Sequence, residues 1–98
     1  MDKFGLPDKA YCLIKNCLTQ FGEIEYVKIF GSRAKGNFKP YSDVDLVLYG
    51  SNLTERMISH IKSELEELPT PYKFDVLDYK TISNDNLRIS IDNFGLEF

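Results

Sequence analysis

The chain has 98 residues, 43% of them apolar and 28% charged, with a net charge of −3. That length suits one domain over residues 1–98, with a core large enough to fold alone but little to spare. The acidic balance argues against general nucleic-acid binding, and no apolar run nears the roughly 18 residues of a membrane span or supplies a signal sequence at the N-terminus.

In chain order, apolar residues at helical spacing (Ala10, Ile14, Cys17, Leu18, Phe21) predict a helix over 7–21, with Pro7 suited to its first turn and Gly22 to its end. Cys12 and Cys17 fall on different faces of that helix, which argues against a disulfide and suits a reducing cytoplasm. A β-branched and aromatic run over 24–30 predicts a strand that stops at Gly31-Ser32. Residues 32–35 read as one helical turn closed by Gly36, and 37–42 as a loop containing Pro40. Residues 43–49 form a second strand, apolar nearly throughout and therefore expected to be buried on both faces.

A helix follows over 54–68, with Thr54 as N-cap and a buried stripe of Met57, Ile58, Ile61, Leu65 and Leu68, ended by Pro69 and Pro71. A third strand over 72–79 and a last helix over 83–93, burying Leu87, Ile91 and Phe94, complete the set. The expected fold is α+β, a small mixed sheet of three or more strands flanked by helices. Strands two and three, joined by a long helix, should be parallel with a right-handed crossover. Strands one and two, joined by a short excursion, should be antiparallel. That places Gly31 and Ser32 beside Asp43 and Asp45, with Asp75 next door.

Asp43 and Asp45 interrupt an apolar strand. Residues two apart on a strand share a face, about 7 Å from one another, so the two carboxylates repel and resist desolvation. Two hard oxygen donors suit Mg²⁺, with Mn²⁺ an alternative. Gly31-Ser32 opening a helical turn presents N–H groups and a hydroxyl to an anion, with Arg33 and Lys35 adding positive charge. Phosphate on one side and metal between describe a nucleoside triphosphate bound as its Mg²⁺ complex. Two ions would activate an attacking hydroxyl and stabilise a leaving pyrophosphate, with Asp75 as the candidate for the second ion and the hydroxyl proton. Asp78, three residues on, faces the other way and reads as structural or solvated. His60 reads as structural. Competing motifs fail: Gly31 and Gly36 have P-loop spacing, but Asn37-Phe38 stand where Lys and Ser/Thr belong. In a calcium loop starting at Asp43, Val47 and Leu48 replace the required ligand and glycine.

Gly31-Ser32, ten residues, then Asp43-Val44-Asp45 resembles the signature of the DNA polymerase beta-like nucleotidyltransferase superfamily. The run FGSRAKGNFKPYSDVDL is similar to its minimal nucleotidyltransferase branch, and KFDVLDY to that branch's third-carboxylate strand. The resemblance implies a nucleotidyltransferase fold, with Asp43, Asp45 and Asp75 as the metal-binding catalytic triad. It implies Gly31, Ser32 and Arg33 as the nucleotide-binding residues, and ATP or another NTP as donor. Members are often antitoxins encoded beside a HEPN-domain ribonuclease toxin, and some transfer AMP to a tyrosine of that toxin. The expected activity is therefore Mg²⁺-dependent NMP transfer to a partner-protein hydroxyl, in the cytoplasm, with oligomers allowed. A binding-only antitoxin acting by occlusion and a small-molecule nucleotidyltransferase of the antibiotic-modifying kind are the alternatives. The sequence shows no further segment for an acceptor pocket, which favours a protein acceptor over a small molecule or tRNA.

Overall fold

The computed structural model describes residues 3–98. Among them the order is α1 (Asp8–Thr19), β1 (Tyr26–Phe30), α2 (Ser32–Lys35), β2 (Val44–Tyr49), α3 (Glu55–Glu66), β3 (Phe74–Asp78), a 3₁₀ turn (Tyr79–Thr81), α4 (Asp85–Phe94) and β4 (Leu96–Glu97). The sheet order is β3-β2-β1-β4. β1 runs antiparallel to β2 and β2 parallel to β3, as the connections require. The two-residue β4 adds an antiparallel edge to β1 that hydrophobic patterning is too coarse to detect.

Local chemistry sets the helix ends. Thr54 Oγ1 accepts from the Met57 N–H at 3.2 Å, and Asn84 Oδ1 from the Leu87 N–H at 3.1 Å, each satisfying a donor that the first helical turn leaves free. Pro7 stands as the N-cap of α1 rather than inside it, and α1 stops at Thr19, before Gly22 is reached.

β2 is buried on both faces. Val44, Leu46 and Leu48 point into the main core, with Ile29 of β1, Phe74 and Val76 of β3, Ile14 and Leu18 of α1, and Ile61 and Leu65 of α3. Val47 points the other way, into a smaller core with Ile82 and with Ile91 of α4. Each fully buried aliphatic side chain contributes about 1.5–3 kcal/mol relative to an exposed one. Phe94 departs from the expected buried stripe of α4: it is exposed, with Lys35 Nζ 5.3 Å from its ring centre. His60 is also largely exposed, edge-on to Phe21 and 3.8 Å from Glu64. α4 thus covers only part of its face of the sheet. The rest of that face carries the acidic residues.

Candidate active site

Alternation along β2 puts Asp45 on the α4 face, on the same side as Val47. Sheet register sets its neighbours: Asp45 lies opposite Phe30 of β1 and opposite Asp75 of β3. Neighbouring strands are about 4.8 Å apart, so the two carboxylates stand side by side. Phe30 leads directly into Gly31-Ser32, which brings that turn against Asp45. Gly31 has φ +73°, and a Cβ there would collide with Asp45 Oδ2. The glycine therefore serves twice, in the reversal from β1 into α2 and in admitting the carboxylate.

Among the described residues, the acidic group is only weakly compensated, by the charge of Arg33 alone. Asp43 and Asp75 are exposed and Asp45 half-buried, and none of the three has a hydrogen-bond or ion-pair partner among the described residues. Burial first, then the charges of Asp75 and Asp43, push Asp45 up to about 6 from 3.8, with Arg33 opposing. Among the described residues, no three acidic, histidine or cysteine side chains converge tightly enough to cage a metal alone. That arrangement still fits Mg²⁺, which keeps several waters and is held by one or two carboxylates together with substrate phosphates. Asp43, Asp45 and Asp75 are the residues that would hold it.

Asp78 is separate from this group. It is buried on the opposite face, where Oδ2 accepts from Lys80 Nζ at 2.8 Å and Oδ1 from the Lys80 N–H at 3.1 Å. It lies on the other face, as strand parity predicts, and its side chain caps the 3₁₀ turn.

Arg33 also stands apart, and here the expectation of a phosphate contact needs correction. Its side chain is 2% exposed. Nη1 donates to Phe4 O at 3.0 Å, Nη2 to Pro40 O at 3.1 Å, and Nε and Nη2 to Ser42 O at 3.1 and 2.9 Å. The rings of Phe38 and Tyr72 lie 5.3 and 5.0 Å from the guanidinium carbon. Phe38 and Tyr72 escaped sequence reading because they lie five and thirty-nine residues beyond Arg33, with no local signal pairing them to it. The structure thus brings Gly31, Ser32, Asp45 and Asp75 together with Asp43 just before β2, and excludes Arg33.

The model of the family described as polymerase beta, nucleotidyltransferase, matches residues 13–95. The chain belongs to that family and is a nucleotidyltransferase. It is 34% identical over 84 residues to the probable protein adenylyltransferase MntA of Haemophilus influenzae, a match covering 85% of this chain and 74% of that protein. Among solved structures, the fold resembles a chain of a toxin–antitoxin complex with AMP-PNP, at a TM-score of 0.72 and 17% identity, over 90% of this chain and 70% of that one. It also resembles a chain of a tri-AMPylated Shewanella oneidensis HEPN toxin in complex with MNT antitoxin, at a TM-score of 0.65 and 15% identity, over 90% of this chain and 66% of that one.

Proposed function

We propose that this chain, folding as one domain, transfers AMP from ATP to a hydroxyl of a partner protein, a HEPN-domain toxin, and so acts as its antitoxin. The observation that carries the reading is the mutually repelling Asp45–Asp75 pair, in register across β2 and β3 and beside the Gly31-Ser32 turn. The adenylyltransferase name of the Haemophilus relative supports AMP and a protein acceptor. Two free cysteines, Cys12 and Cys17, suit a reducing cytoplasm.

Gly31 and Ser32 receive the triphosphate, the hydroxyl of Ser32 and the open first turn of α2 supplying donors. Asp43, Asp45 and Asp75 would hold Mg²⁺, which would supply neutralisation of phosphate charge and a lowered pKa of the attacking hydroxyl. The acceptor oxygen bonds to the α-phosphorus as the α–β bridge breaks, and pyrophosphate leaves with the electron pair. Asp75, the more exposed carboxylate, takes the hydroxyl proton.

The test is incubation with ATP, Mg²⁺ and the purified HEPN partner, followed by intact mass. The partner should gain whole AMP units, and the gain should vanish with Asp45→Asn. A partner silenced without mass change, equally well by Asp45→Asn, would instead establish occlusion.

A further inference from the structure

Three separate stretches meet at the Arg33 guanidinium. The first is the N-terminal turn, where Lys3 and Leu6 exchange backbone hydrogen bonds at 3.1 and 2.9 Å around Phe4 and Gly5. Both central residues have positive φ, 58° and 73°, the pattern of a tight two-residue hairpin turn. The second is the 37–42 loop, closed on itself by Ser42 N–H to Lys39 O at 3.0 Å and Lys39 N–H to Ser42 Oγ at 2.8 Å. The third is the approach to β3, represented by Tyr72.

The hydrogen bonds fall where they constrain the site. Nε and Nη2 both donate to Ser42 O, the carbonyl that shares a planar peptide unit with the Asp43 N–H. Fixing that oxygen from two directions fixes the plane from which the Asp43 backbone departs. The next ladder bond, Val44 N–H to Lys73 O at 2.9 Å, lies just beyond. Asp43 therefore sits between one plane held by Arg33 and another held by β3. On the loop's other side, Phe38 packs so closely on Gly5 that a Cβ there would collide with its ring. Lysine, with a single point charge, cannot reproduce this forked set of bonds.

We infer that Arg33 is a positioning residue: with Phe38 and the N-terminal turn it fixes the 37–42 loop, and thereby holds Asp43 in the geometry in which it joins Asp45 at the metal. Groups that orient metal-binding carboxylates typically matter about 10–100-fold in metal affinity or activity. The inference rests on the proposed function for its metal-affinity and kinetic readouts, while loop exchange is measured without metal or nucleotide.

The experiment uses Arg33→Lys, which keeps the charge, and the milder Phe38→Leu, which keeps an apolar side chain over Gly5. Amide hydrogen exchange is followed in chelator, Mn²⁺ affinity by calorimetry, and AMP transfer at varied ATP and Mn²⁺. Arg33→Lys should speed exchange of residues 37–43 at least about tenfold and weaken Mn²⁺ binding about 10–100-fold. At saturating Mn²⁺ its KM for ATP should stay within about twofold of wild type, because no contact to the triphosphate is lost. Phe38→Leu should move the first two quantities in the same direction by less, and it decides alone if Arg33→Lys does not fold. Unchanged loop exchange with a raised KM for ATP would restore Arg33 as a phosphate contact. Lower stability with unchanged loop exchange and Mn²⁺ affinity would make it a core residue only. Either result overturns the inference. A wild-type protein that transfers nothing would count against the proposed function, while the loop-exchange comparison would still decide this one.

Discussion

The parallel pair β2–β3 carries acid at both ends, and the two ends are treated differently. At the start, Asp45 stands opposite Asp75, with Asp43 just upstream and no cation paired to any of them among the described residues. Three residues along β3, Asp78 stands opposite Leu48, buried and bonded by the side chain and backbone of Lys80, whose Nζ also donates to Leu53 O at 2.7 Å. A carboxylate that is buried and matched belongs to the fold. Carboxylates left to repel one another at a strand end belong to something the fold is prepared to bind.

The largest effect expected from this contrast is on activity. Asp45→Asn should cut AMP transfer by about 10²–10⁴-fold, the several kcal/mol of charge stabilisation that metal supplies in the transition state. Asp78→Ala should leave transfer per folded molecule unchanged but lower stability by about 1–3 kcal/mol, read from urea midpoints, as a buried acceptor and a cap are lost together. Gly31→Ala should cost about 1–3 kcal/mol for its positive-φ backbone alone, in a region essentially reserved to glycine, and should also displace the Asp45 carboxylate. A variant as stable and as active as wild type would show that neither constraint holds.

The smallest effect is a pH dependence. In chelator, Asp45 is held near 6 in the fold against 3.8 unfolded, so between these values the folded state binds more protons. Stability should therefore fall as pH rises from 3.8 through about 6, by of order 1 kcal/mol once solvent screening of this half-buried group is counted. Asp45→Asn should flatten that segment of the profile. An unchanged profile would mean that Asp45 is not strained by its neighbours.

Much of this contrast was legible in the sequence because it depends on short-range geometry. Strand alternation separates Asp75 from Asp78, and a long helix between β2 and β3 dictates their parallel pairing. Together these place Asp45 beside Asp75. Arg33 was not legible. Its position after Gly31-Ser32 suggests phosphate, and what overrides that reading is a set of carbonyls 7, 9 and 29 residues away. β4 escaped because two residues carry no periodicity, and its pairing depends on β1 being in place. Phe94 misled because helical spacing assigns it to the buried stripe, whereas α4 ends beyond the part of the sheet it covers.

The most direct test of the central claim is thermal melting of wild type and Asp45→Asn at pH 7.5, in chelator and in Mg²⁺ or Mn²⁺. Binding to the folded state alone raises the melting temperature of wild type, and relief of repulsion leaves Asp45→Asn at least as stable as wild type in chelator. The account predicts both, with little or no metal-induced gain in the variant. A wild-type protein indifferent to metal, combined with an Asp45→Asn variant strongly destabilised in chelator, would show the carboxylates to be part of the fold and contradict the site.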